Sequence, residues 1–233
     1  MSHPLAERLN GLRARIGEAE QRAGRPAGSV ALLAVSKTQP AEAIRAAYAA
    51  GQRQFGENYL QEALAKQEAV SDLTDIVWHF IGPIQSNKTR AIATRFDWVH
   101  SVDRLKIAQR LSEQRPAAAP PLNVCLQVNI SAEDSKSGVM PADVPLLARA
   151  VAALPRLRLR GLMAIPAPAA GFEQQRQPLR QLRLAMEGLS LGGLDTLSMG
   201  MSDDLEAAIA EGATLVRIGT ALFGPRGTAT PKP

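Results

Sequence analysis

Eight short apolar runs alternate with segments of helical periodicity, and this alternation limits the folds open to the chain. The runs are VALLAVS (30–36), QRQFG (52–56), IVWHFIG (76–82), FDWVHSV (96–102), LNVCLQVNI (122–130), LRLRGLMAI (157–165), DTLSM (195–199) and ATLVRIG (213–219). A strand followed by a helix, repeated in this way, predicts an α/β fold with a parallel sheet, closed as a (β/α)8 TIM barrel. A doubly wound open sheet has the same periodicity and remains the alternative.

The segment before the first run predicts one further helix. Leu5, Leu9, Leu12 and Ile16 are spaced by four, three and four residues, which puts one apolar stripe on a helix that ends near Gly24. A length of 233 residues suits one barrel with this extra N-terminal helix. We therefore expect a single domain over residues 1–226 and a mobile tail over 227–233, which has nothing to bury.

Composition argues against several classes of function. The formal net charge is +5, but the Lys and Arg residues are scattered and aromatics make up only 4%, so nucleic-acid binding is not predicted. His3, His79, His100 and Cys125 do not have the spacing of metal ligands. Cys125 lies in an apolar run and has no cysteine to pair with, as expected in a reducing compartment.

The chain shows no sign of export or of a membrane anchor. Its first residues, MSHPLAERLNGLRARIGEAEQR, carry charges throughout, and no later apolar stretch is long enough to cross a bilayer. These features predict a cytoplasmic protein.

Lys37 directly follows the apolar run of the first predicted strand, in the stretch LLAVSKTQP. A lysine in this place is usually a solvated charge. In a βα-barrel, however, functional groups gather at the C-terminal ends of the strands. Lys37 is therefore a candidate binding residue.

The loops after the seventh and eighth runs resemble a phosphate site, which barrels often build there. Ser202 is predicted to cap the next helix, Gly219 to permit a close approach of the backbone, and Thr220 to add a hydroxyl. Each of these residues alone also fits a simple cap or turn. Arg217 should point into the barrel, either in a buried ion pair with a carboxylate or as a donor to a ligand ring nitrogen. A nearby Arg217 and desolvation would lower the pKa of Lys37 and allow it to condense with the aldehyde of a phosphorylated ligand.

Several blocks together resemble the pyridoxal phosphate homeostasis protein family over nearly the whole chain. The blocks are AVSKTQP, FGENYLQE, WHFIGPIQSNK, HSVDRLKIAQRL, QVNISAEDSKSG, RGLMAIP and LSMGMSDDLEAAIAEGATLVRIGTALFG. The resemblance implies a barrel like the N-terminal domain of alanine racemase, with pyridoxal 5′-phosphate (PLP) bound as a Schiff base on Lys37. It further implies that Ser202, Gly219 and Thr220 hold the phosphate, that Arg217 faces the pyridine nitrogen, and that Asn58 lines the ring.

Four other residues have less defined parts in this resemblance. His79 and His100 end predicted strands and could border the pocket, but a hydrogen-bonded structural role is expected for each. Gln39 replaces a lysine that is common in the family, and Lys136 is a possible second attachment point for PLP.

The expected function is that of a PLP carrier without catalytic residues. An arginine can only donate to the ring nitrogen and leaves it unprotonated, so that carbanion chemistry at an amino acid is weak. Tyr48 and Tyr59 lie in early helical segments and do not supply an obvious second acid–base group. We therefore expect a cytoplasmic monomer that stores PLP or delivers it to apo-enzymes. The alternative is a weak PLP-dependent amino-acid racemase, or a Schiff-base lyase for a phosphorylated sugar.

Overall fold

The computed structural model describes residues 4–131 and 137–224, and its centre is a closed barrel of parallel strands. The strands follow one another around the barrel in chain order, and the first pairs with the last through Leu32↔Val216 and Leu33↔Arg217. They are β1 (Ala31–Val35), β2 (Gln54–Glu57), β3 (Val77–Phe80), β4 (Trp98–Val102), β5 (Leu122–Gln127), β6 (Leu157–Met163), β7 (Thr196–Ser198) and β8 (Leu215–Ile218). The barrel prediction is confirmed, and the open sheet is excluded because β1 and β8 are hydrogen-bonded.

Helices connect the strands on the outside of the barrel. They are α1 (Pro4–Arg22), α2 (Ala41–Ala49), α3 (Leu60–Ala69), α4 (Thr89–Arg95), α5 (Leu105–Gln114), α6 (Val144–Ala152), α7 (Phe172–Glu187), α8 (Leu205–Ala210) and α9 (Thr220–Phe223). The polar segment 85–95 forms a 3-10 turn at Ser86–Lys88 and then the short helix α4. None of the helices in the described part of the chain is long and apolar enough to cross a membrane.

The N-terminal helix α1 is present and packs on the last βα units. Its predicted apolar stripe is buried, and it contacts α2, α8 and α9. Arg15 forms a two-pronged ion pair with Glu206 of α8, with N–O distances of 2.6 and 2.7 Å. Arg8 donates to the backbone oxygen of Leu222 in α9. These contacts hold α1 where the barrel closes.

Side chains alternate between the barrel interior and the layer beneath the helices, as expected for strands. Phe55, Val99 and Val216 belong to the apolar cluster that includes residues of the surrounding helices. His100 of β4 lies 2.7 Å from Ser198 of β7, and because these strands are not neighbours the contact passes through the barrel interior. The interior is therefore polar where β4 and β7 face each other.

The single-domain boundary at residue 226 stays a prediction. The expected tail, 227–233, lies outside the described residues.

Candidate functional site

The six residues singled out in the sequence line one cavity of about 520 Å³ at the C-terminal end of the barrel. This mouth cavity is lined by Val35, Lys37, Asn58, Ile81, Ile165, Met201, Ser202, Asp203, Arg217, Gly219, Thr220 and Ala221. Lys37 follows β1, Asn58 follows β2, and the remaining four come from β8 or from the loops after β7 and β8. The barrel closes β8 against β1, which brings Lys37 to the same cavity as the residues from the end of the chain.

Arg217 is buried, and its contacts test the first of the two interpretations that the sequence left open, a buried ion pair. Its guanidinium donates to Ser198 O at 2.6 Å, to Ser198 Oγ at 2.9 Å and to Ala164 O at 2.8 Å. These partners are neutral, and within residues 4–131 and 137–224 the guanidinium is not paired with a carboxylate. Burial lowers the pKa of Arg217 to about 10, which leaves it charged at neutral pH. A guanidinium has five N–H donors, and the contacts to described residues use three of them.

Hydrogen bonds in the barrel interior connect Arg217, through Ser198, to His100 and His79. His79 Nδ1 lies 2.9 Å from His100 Nε2, and His100 Nδ1 lies 2.7 Å from Ser198 Oγ. Both imidazoles are fully buried and neither lines the mouth cavity, in agreement with the expected structural role. Burial lowers the pKa of His79 to about 3 and also lowers the pKa of His100. Both histidines are therefore neutral at ordinary pH.

Because Arg217 can only donate, one direction of donation along the hydrogen bonds between Ser198, His100 and His79 pairs more groups than the other. An arginine cannot accept a hydrogen bond, so Ser198 Oγ accepts from Arg217 and can donate its own proton to His100 Nδ1. His100 then carries its proton on Nε2 and donates to His79 Nδ1. This arrangement leaves His79 Nε2–H without a partner among the described residues, whereas the reverse direction would also leave the Ser198 proton unpaired.

The prediction that Ser202 caps a helix was wrong. Helix α8 begins at Leu205, and Ser202 lies in the preceding turn. The carboxylate of Asp204 accepts the backbone N–H of Met201 at 2.6 Å, which stabilises a turn in the segment where the helix was expected to start. Ser202 nevertheless lines the mouth cavity through this turn.

Gly219 and Thr220 lie at the junction of β8 and α9. A Cβ added at Gly219 would lie 3.3 Å from Val35 O and 3.5 Å from Val35 Cβ, so the small residue accommodates β1. Thr220 and Ala221 begin α9, and their N–H groups have no acceptor within the helix. Such donors suit an anionic group in the cavity.

Asn58 reaches the cavity because residue 82 is a glycine. A Cβ added at Gly82 would lie 2.1 Å from Asn58 O and 2.7 Å from Asn58 Cα. Asn58 Oδ1 is buried without a hydrogen-bond partner among the described residues. Sequence reasoning missed Gly82, although a glycine between the end of a strand and Pro83 signals a special backbone position.

Sequence reasoning also missed Ser198, and two further expectations concerned Gln39 and Lys136. Ser198 is the main partner of Arg217 and was not singled out, because a serine inside a strand carries no signal of its own. Gln39 is not part of the lining, and its N–H donates to Ser36 O at 3.0 Å. Lys136 lies outside the described residues. The described residues contain no cluster of His, Cys, Asp or Glu able to hold a metal ion.

Comparison with known proteins assigns the class of this barrel. The family model of the alanine racemase N-terminal domain matches residues 8–227. An alanine racemase from Corynebacterium glutamicum has a TM-score of 0.64 at 21% identity, covering 96% of this chain and 63% of that one, a likeness that shows the fold alone.

Closer relatives carry a more specific name. The pyridoxal phosphate homeostasis protein of Pseudomonas aeruginosa is 67% identical over 227 residues, covering 97% of this chain and 98% of that protein. The protein of the same name from Escherichia coli is 57% identical, covering 95% and 97%. PipY from Synechococcus elongatus, solved with PLP bound, has a TM-score of 0.82 at 41% identity and covers 94% and 100%. The chain therefore belongs to the pyridoxal phosphate homeostasis protein family.

Proposed function

We propose that this chain binds PLP in the mouth cavity, through a Schiff base on Lys37, and contributes to the homeostasis of this cofactor. The observation that carries the proposal is the meeting of one lysine, one buried arginine and the β8–α9 turn in a single cavity. The names of the relatives and the PLP-bound structure of PipY support the choice of ligand.

The residues present fit the chemical groups of PLP. Lys37 supplies a primary amine, which forms a Schiff base with an aldehyde and releases one water molecule. Ser202, Thr220 and the first N–H groups of α9 supply hydrogen-bond donors for a phosphate. In many barrels the phosphate is bound by loops in the same place, after the last two strands. Arg217 would supply an N–H donor for the ring nitrogen, and Asn58 would line the ring, since both residues line the cavity.

The same residues favour holding the cofactor over catalysis. When bound, PLP can withdraw electrons from an attached amino acid, and this effect is strongest when a carboxylate keeps the ring nitrogen protonated. Arg217 keeps its positive charge and can only donate, so it leaves that nitrogen without a proton. We therefore propose a non-catalytic carrier, a cytoplasmic monomer, that stores PLP or delivers it to apo-enzymes.

The first test is the visible absorption spectrum of the purified protein with and without added PLP. We expect a Schiff-base band that borohydride removes, with the reduced adduct on Lys37, and loss of this band in Lys37→Ala. Lys106→Ala is the matched control, because Lys106 is an exposed lysine of α5.

Two results would contradict the proposal. Absence of the band, or an unchanged band in Lys37→Ala, would mean that Lys37 does not hold the cofactor. Rapid racemisation of an ordinary amino acid by the purified protein would refute the non-catalytic part and favour the racemase alternative.

A further inference from the structure

A buried ion cluster lies beneath the segment that carries Lys37. Lys66 of α3 is only 6% exposed, and its ammonium donates to Glu57 Oε1 at 2.8 Å and to Ser36 O at 2.6 Å. It also donates to the carboxylate of Glu62, one turn earlier on the same helix. An ammonium has three protons, and these three acceptors use all of them.

The acceptors of Lys66 come from three places in the fold. Ser36 follows β1, Glu57 ends β2, and Glu62 lies in the first turn of α3. Ser36 is held twice, because its hydroxyl also donates to Glu57 Oε1 at 2.6 Å. The cluster therefore fixes both the backbone and the side chain of the residue immediately before Lys37.

The same cluster holds the residue immediately after Lys37. Thr38 has a φ of 63°, and it is the only non-glycine residue with positive φ in the described part of the chain. This conformation is unfavourable for a β-branched residue. The N–H of Thr38 donates to Glu62 Oε1 at 2.6 Å, which compensates for part of that cost.

A purely structural role would join β1, β2 and α3 through a buried ion pair and nothing more. Such pairs are weak contributors to stability, and well-packed apolar residues often replace them without loss. This cluster does more than join the elements. It makes two hydrogen bonds to Ser36 and one to the strained Thr38, and these residues flank Lys37. Lys37 itself lines the mouth cavity.

We propose that Lys66, Glu57 and Glu62 are positioning residues for Lys37, which hold the Ser36–Thr38 turn so that the Lys37 amine enters the mouth cavity. The inference rests on the proposed function, because it concerns the same lysine. None of the three residues lines the cavity, so they act through the turn and not by touching the ligand.

Glu62 offers the cleanest test, because it is partly exposed and its replacement leaves the Lys66–Glu57 pair in place. Glu62→Ala removes the acceptor of the Thr38 N–H, whereas Glu62→Gln keeps an acceptor oxygen. Glu68→Ala is the matched control, since Glu68 is an exposed glutamate on the same helix.

Two readouts separate positioning from general stability. Hydrogen exchange of the Thr38 amide reports on the turn in the protein without PLP, and the second-order rate of Schiff-base formation reports on Lys37. In Glu62→Ala we expect exchange to be faster and Schiff-base formation slower, each by about tenfold, the factor that corresponds to about 1.4 kcal/mol. Glu62→Gln should stay within about threefold of the unaltered chain on this scale, and Glu68→Ala should match it.

The outcomes distinguish this inference from the proposed function. If the unaltered chain forms no Schiff base with PLP, both are overturned. If it does and Glu62→Ala forms it at the same rate, only the positioning role is overturned. The positioning role also fails if Glu62→Gln and Glu62→Ala are slowed equally and in proportion to their loss of thermal stability.

Discussion

We expect mild acid to lower the free energy of unfolding of this protein, because His79 and His100 are buried. The pKa of His79 is lowered from 6.5 to about 3 because the imidazole is fully buried. The pKa of His100 is lowered by burial first, and then by unfavourable electrostatic interactions of its charged form with His79 and with Arg217. In the unfolded chain both side chains would titrate near their ordinary values. Between these two limits the unfolded state binds more protons than the folded state, so stability falls as the pH falls.

The magnitude for His79 follows from the two pKa values. At pH 5, protonation lowers the free energy of an unfolded histidine with a pKa of 6.5 by about 2 kcal/mol, whereas a folded histidine with a pKa of about 3 gains almost nothing. At pH 7 the corresponding gain is small, because an unfolded histidine is then mostly neutral. Acidification from pH 7 to pH 5 should therefore remove about 2 kcal/mol of unfolding free energy through His79 alone. His100 acts in the same direction.

The assay is urea unfolding at several pH values between 7 and 5, for the unaltered chain and for His79→Gln. Glutamine does not titrate, and its amide can still accept a hydrogen bond from His100. Between pH 7 and pH 5, the unfolding free energy of the variant should fall by about 2 kcal/mol less than that of the unaltered chain, whatever the stability of the variant at pH 7. Glu57, whose pKa is raised by burial, contributes with the opposite sign but equally to both chains.

The same pH dependence in the two chains would refute this reasoning. So would ¹⁵N chemical shifts that report a charged His79 imidazole in the folded protein at pH 5.5. The same spectra test the direction of the interior hydrogen-bond chain, which requires the proton on Nε2 of both His79 and His100.

Two further predictions concern buried positions. Gly82→Ala should cost about 1–3 kcal/mol in urea unfolding, because the new Cβ would lie 2.1 Å from Asn58 O. Gly17→Ala, in α1 with nothing within 4 Å of the added Cβ, is the control and should not destabilise the protein; equal losses in the two variants would contradict the steric argument. Burial raises the pKa of Cys125 to about 12, so a disulfide reagent at pH 8 should modify it only after unfolding. Modification of the folded protein at the rate of a free thiol would show that the site is open.

The order of the secondary structure was predictable from the sequence because its signals are local. Apolar runs and helical spacing recur within a few residues, and all eight predicted strands are present, each shorter than predicted, although β2 ends one residue later, at Glu57. The start of α8 was not predictable in the same way. Ser202 and Asp204 are both good residues to precede a helix, and the contact of Asp204 with the Met201 N–H accompanies a later start.

What the sequence by itself determined is the barrel, the family and six of the residues that line the mouth cavity. The family blocks identify Lys37 and Arg217 although 179 positions separate them, but they do not reveal what surrounds either residue. Only the tertiary structure decided that Arg217 bonds to neutral partners, because Ser198 and Ala164 reach it from other parts of the barrel. Only the tertiary structure shows that Lys66 is buried. A lysine in an amphipathic helix is ordinarily solvated, and here it is buried because Ser36 and Glu57 from other elements supply acceptors.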